Sequence, residues 1–258
     1  MQRPPSGRGL PLAPASPIHD SINRIAGKQS ELTNVVLSAD QQAILRAFVE
    51  REFTVSALGL TGVDVSREQI AVSQKSLDTR TRADSRRDRK IQSTLASISI
   101  VYSAIDRGEL LNTDLLLRIH DPFREAAAAP AGQEAEAGQG VKESAKVMAR
   151  ISAFCQWTAA DSFKELNPLE QAAIIVLRLL EIRPFEEGNV AAAVGAGSLF
   201  TMRAGWPPII IPEHLRPKFK PAIGEGLKMN TRPLVDLLAE SLYEALESSI
   251  EFIKDLRT

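Results

Sequence analysis

The chain reads as an all-α protein, a helical bundle around one core. Three observations predict this class. Apolar side chains recur at three- and four-residue intervals over most of the sequence, which places them on one face of a helix. Several segments open on a hydroxyl or amide residue followed three positions later by Glu or Gln, the pattern that satisfies a helix's first free N–H groups. Runs with the two-residue alternation of strands are scarce. With 258 residues and 44% hydrophobic side chains, the chain can bury a sizeable single core.

In chain order, Met1 to Asp20 is rich in Pro and Ser, and residues 1–36 are expected to form a flexible arm. Residues 37–110 are expected to form an N-terminal helical region, and residues 111–258 a core with C-terminal helices. Ser38 opens the first predicted helix, with Gln41 completing its cap and Ile44, Leu45, Phe48 and Val49 on one side. Ser66 and Gln69 repeat that signature. Leu95, Ile98, Tyr102 and Ile105 form the next stripe, which Gly108 stops. Thr113 is expected to cap a short helix reaching His120. Val147, Ile151, Phe154 and Thr158 mark another helix, ending near Trp157. Asn167, Pro168 and Glu170 give a full helix start, and the run that follows to Leu180 is apolar on nearly every face, which predicts a central buried helix. The last helix runs from Pro233 toward Leu256. No internal repeat is present.

Composition excludes several function classes. A net charge of −1 argues against bulk affinity for nucleic acid or anionic membrane. The apolar run at 169–180 is too short, and too interrupted by Arg178, to span a bilayer. Cys155 is the single cysteine and sits in an apolar run, so it reads as a buried, inert thiol. A chain that cannot close an internal disulfide, with no apolar signal segment at its start, fits a reducing, cytoplasmic setting. His19, His120 and His214 lack metal-site spacing, and His120 reads as a packing histidine. Between Arg80 and Lys90, basic residues interleave with Asp84 and Asp88, which reads as a solvated helix face rather than a phosphate patch.

The most informative segment is Arg183-Pro184-Phe185-Glu186-Glu187-Gly188-Asn189-Val190-Ala191-Ala192-Ala193-Val194. It resembles the signature loop of the Fic/Doc (Fido) family, His-Pro-Phe-x-(Asp/Glu)-Gly-Asn-Gly-Arg-x-x-Arg. Pro184, Phe185, Glu187, Gly188 and Asn189 match. Arg183 stands for the catalytic histidine, Val190 for the second glycine, and Ala191 and Val194 for the two arginines. The helix at 168–180, the segment Leu199 to Ile211 and the stretch Leu215 to Ile223 extend the likeness, although Phe219 and Lys220 stand where relatives often carry tyrosines. The resemblance implies a Fic-like helical bundle and the transfer of AMP from ATP to a protein hydroxyl, with Mg²⁺ held at the acidic position. Arginine has no acceptor atom and stays charged, so Arg183 cannot act as general base. Ala191 and Val194 cannot clamp phosphate, and Val190 brings a β-branched side chain where glycine lets the backbone approach an anion.

The resemblance also covers an inhibitory helix ahead of the core, ending in (Ser/Thr)-x-x-x-Glu-(Gly/Asn). Here Ala57 stands at the serine, Thr61 at the glutamate, and Gly62 is retained. Threonine cannot form the inhibitory ion pair, and Val194 offers no charge to receive one. The family's target-docking flap falls between His120 and Val147, where residues 126–140 are Ala-, Gly- and Gln-rich and read as a short, disordered flap. Two function classes remain open. One is an inactive pseudoenzyme acting as a binding or regulatory module with a protein partner, such as an intact Fic-family relative. The other is a transferase of altered, histidine-independent chemistry. Arg183, Gly188 and Asn189 are the candidate nucleotide or anion contacts, and Glu187 is the candidate metal ligand. ATP and Mg²⁺ enter by resemblance only.

Overall fold

A computed structural model describes residues 17–78, 85–127 and 145–257, and among them it contains eleven α-helices, one 3₁₀ turn and no β-strand. The central pair is α8 (Pro168–Ile182) and α9 (Asn189–Arg203). Asn167 caps α8 as its sequence predicts: its side chain accepts from the Leu169 and Glu170 amides, both at 3.0 Å, while Glu170 reaches back to the Asn167 amide. Every residue of α9 from Ala191 to Thr201 is buried. The two helices approach closely at Gly197, where a Cβ would lie 2.9 Å from Val176 Cγ2 and 3.2 Å from the Ala172 carbonyl oxygen. Any larger residue there would push the pair apart.

The other helices surround this pair. α4 (Arg86–Asp106) packs against α9 and against α5 (Thr113–Ala127), while α2 (Ala39–Gly59) lies on α4 and carries the fully buried Phe53 and Ala57 into the core. α3 (Arg67–Asp78) joins α2 and α4 through a small second cluster of Leu58, Val65, Ile70, Ile91 and Leu95. α6 (Ala145–Thr158) and the one-turn α7 (Asp161–Lys164) flank α8, and α10 (Arg216–Gly226) leads to α11 (Arg232–Asp255). Extended residues between α9 and the 3₁₀ turn Glu213–Leu215 are held by side chains of the bundle. Ser198 Oγ accepts from the Ile209 amide at 2.9 Å, and Ser56 Oγ accepts from the Ile211 amide at 2.7 Å. Those hydroxyls satisfy backbone donors that would otherwise be buried unpaired.

Three expectations need correction. Residues 17–33 form a helix, α1 (Pro17–Thr33), rather than part of a flexible arm; Ile25 is buried and Ile18, Ile22 and Leu32 pack beside it as α1 lies on α11. That apolar stripe outweighs the Pro- and Ser-rich composition around it. The cap of α5 is Asn112, whose Oδ1 accepts from the Leu115 amide at 2.8 Å, and the helix continues past His120 through Pro122 to Ala127. Ile44 faces solvent, 45% exposed, so the buried stripe of α2 begins at Val49. The arm's first residues, 1–16, and the flap, residues 128–144, lie outside the described residues. Among those described, no helix is long and apolar enough to cross a membrane.

Candidate functional site

The segment from Arg183 to Asn189 links α8 to α9, and its shape follows from a few contacts. Arg183 ends α8 in the left-handed region (φ 47°, ψ 61°), with its amide donating to the Leu179 carbonyl at 2.8 Å. Asn189 then closes the loop on itself. The Phe185 amide donates to Asn189 Oδ1 at 3.1 Å, and Asn189 Nδ2 donates to the Phe185 carbonyl at 2.8 Å. Gly188 opens α9 at φ 75°, and a Cβ on it would lie 2.8 Å from the Phe123 ring. Only glycine meets both demands without strain.

His120, from α5, fastens this loop to the bundle. Its Nε2 lies 2.9 Å from the Glu187 carbonyl oxygen, and since a carbonyl can only accept, that nitrogen carries a proton. The ring stacks on Phe185 with centroids 3.6 Å apart and planes 2° from parallel. Burial lowers the His120 pKa from its ordinary value, outweighing the hydrogen bond to Glu187 that favours the charged form. The imidazole is therefore neutral at pH 7 and holds the loop in place. Cys155 is likewise buried, and desolvation raises its thiol pKa, which keeps it protonated and unreactive.

Beside the loop lies a cavity of about 310 Å³, lined by Ala57, Leu58 and Thr61 of α2 and the turn after it, by Arg86, Arg89, Lys90 and Ser93 of α4, by Phe123, and by Glu187, Gly188 and Ala191. Segments far apart in sequence meet here, so the run at Ala57 and Thr61 and the signature loop share one space. Not every candidate joins them. Arg183 is exposed and lies outside the lining, as do Asn189, Val190, Val194 and Gly62. Gly62 makes the turn after α2 at φ 77°. Arg183 has no ion pair among the described residues, whereas Glu187 Oε1 sits 3.3 Å from Arg86 Nη2. Val190 packs its side chain on the core from the first turn of α9, and the positive φ values of the loop fall at Arg183 and Gly188 instead. Its objection to phosphate is therefore bulk, not backbone strain. Ala191 and Val194 are 4% and 0% exposed, so both positions at which the resemblance would put an arginine are buried.

Glu187 is a lone carboxylate engaged by an arginine, and no group of three or more His, Cys, Asp or Glu gathers among the described residues. This donor set does not fit a magnesium ion held by protein ligands alone, since that ion asks for six oxygens in close geometry.

The basic run was assigned to a solvated face from sequence; Arg86 is exposed as expected, Arg89 and Lys90 are only partly exposed and line the cavity, and residues 80–84 lie outside the described residues. A signal for it exists: 86, 89, 90 and 93 fall at i, i+3, i+4 and i+7, one face of a helix.

Comparisons with known proteins agree with this geometry. No family model matches the chain. A protein adenylyltransferase Fic of Drosophila erecta is 29% identical over 103 residues, which is 40% of this chain and 21% of that protein. The protein adenylyltransferase fic-1 of Caenorhabditis elegans is 28% identical over 108 residues, again 21% of its length. The match thus spans about a fifth of these relatives. Among solved structures, Fic-1 (residues 134–508) from C. elegans superposes with a TM-score of 0.72 at 18% identity, covering 90% of this chain and 71% of that one. A Fic domain containing signaling protein from Bacteroides thetaiotaomicron gives 0.71 at 17% identity, covering 91% and 98%. The fold and loop define a Fic-fold helical protein. Over that matched segment the chain is similar to Fic adenylyltransferases, and it shares the fold of Fic-domain structures.

Proposed function

We propose that this chain keeps the Fic frame as a binding or regulatory module and has lost nucleotide transfer. One observation carries the reading: the position that the resemblance gives to the catalytic base holds an arginine, Arg183, exposed and outside the cavity. Guanidinium has no lone pair with which to take a hydroxyl proton. The buried Ala191 and Val194 add to it, because neither can neutralise a phosphate in flight. The histidine that touches the loop, His120, is spent on Phe185 and the Glu187 carbonyl. A frame kept intact by Asn189, Gly188 and Phe185 without the reacting groups suits recognition of a protein partner, with an intact Fic-family relative in the cytoplasm the first candidate.

Incubating the purified protein with labelled ATP, GTP and UTP, alone and with a cell lysate, tests this. No incorporation is expected. Time-dependent labelling that is lost in Glu187→Ala would overturn the reading.

A further inference from the structure

A second cavity, of about 330 Å³, opens between α2, the residues just before and at the start of α3, the extended segment ahead of α10, and α11. It shares no lining residue with the cavity beside the signature loop. Its floor is apolar: Val49, Val65, Ile211 and Ala245 are buried there, and Phe48 and Ile210 stand partly exposed at its walls. Its charges are one-sided. Five carboxylates line it, Glu52, Asp64, Glu68, Glu213 and Glu244, against two guanidiniums, Arg67 and Arg216. Arg67 is spent on Glu52, at 2.5 and 2.8 Å. Arg216 is drawn onto the last turn of α2, where its Nη2 donates to the Val55 carbonyl at 3.3 Å. It fits there because residue 59 is glycine; a Cβ on Gly59 would lie 2.8 Å from Arg216 Nε. Glu244 Oε1 lies 3.3 Å from His214 Nε2. Asp64, Glu68 and Glu213 remain, all exposed at the mouth and without an ion pair among the described residues. A hydrogen bond from Ser66 lowers the Glu68 pKa, so that carboxylate is ionised at neutral pH. Arg51 adds a further positive charge near Glu68, from outside the lining.

We propose that this cavity is a docking site for an arginine or lysine carried on a short apolar segment of a partner protein. A cleft lined by one sign of charge over apolar walls concentrates the opposite sign. The carboxylates do not gather as a metal site, since no group of three or more His, Cys, Asp or Glu is placed to share an ion among the described residues. Acids spread around an apolar floor suit instead a long cation with an aliphatic stem. The stem covers Val49, Ile211 and Ala245, and the head stays in water at the rim among Asp64, Glu68 and Glu213. The volume is at the small end of binding pockets, which fits one anchoring side chain and a neighbour. This inference rests on the binding-module reading above and names the chemistry of the partner.

Degenerate peptide pools passed over the immobilised full chain test it. Each pool fixes Arg, Lys, Gln or Glu at the centre with Leu or Ile on either side, and retention is read at low and high salt. The Arg and Lys pools are expected to be retained about tenfold or more above the Glu pool, with a margin that shrinks as salt rises. The variant Asp64→Asn/Glu68→Gln/Glu213→Gln should lose that preference, and a thermal melt checks that it stays folded. Ser248→Lys puts a cation at the exposed mouth without removing any carboxylate, and it should weaken retention in the same direction. Arg89→Ala, in the other cavity, should change nothing. Equal retention of all four pools, or a preference that survives the triple variant, overturns the site and leaves the binding-module reading standing. Protein labelling by nucleotide would overturn that reading, while an intact preference for Arg and Lys would keep the site.

Discussion

The imidazole of His120 lies flat on the ring of Phe185, 3.6 Å between centroids and 2° from parallel, with its Nε2 proton given to the Glu187 carbonyl. One buried side chain thus fixes both an apolar and a polar point of the same loop. Its pKa is lowered by burial, so the folded state binds its proton less readily than the unfolded chain, where the value is near 6.5. Stability is then full above that pH and falls as pH drops from about 6.5 toward the lower folded value, because the unfolded state takes up the proton first. Thermal melts from pH 7.5 to 5.5 should show a decline that is shallower in His120→Gln. An identical slope in the two proteins would contradict this account.

Asn189 makes two hydrogen bonds to the Phe185 backbone. Asn189→Ala leaves an amide and a carbonyl in a partly buried loop without partners, at a cost of about 1–3 kcal/mol each if water cannot reach them. Urea unfolding is expected to show a lower midpoint with unchanged slope. Asn189→Asp, which keeps the acceptor but loses the donor, should fall between the two.

Arg183 adopts φ 47° without glycine's freedom and without an ion pair among the described residues. Arg183→Gly should therefore stabilise the protein by up to about 1 kcal/mol, read as a rise in melting temperature. A drop would mean that the guanidinium holds something at the loop.

Arg183→His alone should restore no nucleotide transfer in a labelling assay, since Ala191 and Val194 still leave phosphate unclamped. Activity in the single variant would show that the clamps matter less than the base.

Deleting residues through Gly62 removes Val49, Phe53 and Leu58 from the core, side chains worth about 1.5–3 kcal/mol each when fully enclosed. The melting temperature should fall steeply. Thr61→Ala should change it little, because the Thr61 hydroxyl only returns to the Leu58 carbonyl at 2.7 Å. ATP affinity that appears in the truncated chain alone would indicate that α2 still guards the cavity.

The helical frame is legible in the sequence because its signals are local. Ser38, Ser66 and Asn167 cap the helices they precede, and the stripe through Leu95 and Ile98 is buried as its spacing requires. The start of α1 is hidden by the prolines and serines around it, although Ile18, Ile22 and Ile25 carry the spacing. The signature loop is legible as a pattern, but its geometry is not, since a positive φ at a non-glycine such as Arg183 leaves no mark in residue type. The cavity's cations are obscured for another reason. Asp84 and Asp88 alternate with the basic residues along the chain, and linear order cannot reveal that Asp88 turns to the Ser85 cap while Arg89 turns inward.

Val194 has no exposed surface and belongs to the main core. An arginine placed there would bring a charged, five-donor group into a space shaped for two methyls. Burying such a charge without a partner costs about 3–5 kcal/mol, a large share of the 5–15 kcal/mol that holds a domain folded. Val194→Arg on its own is thus expected to lower the melting temperature steeply, because the packing around position 194 leaves a guanidinium neither room nor a partner.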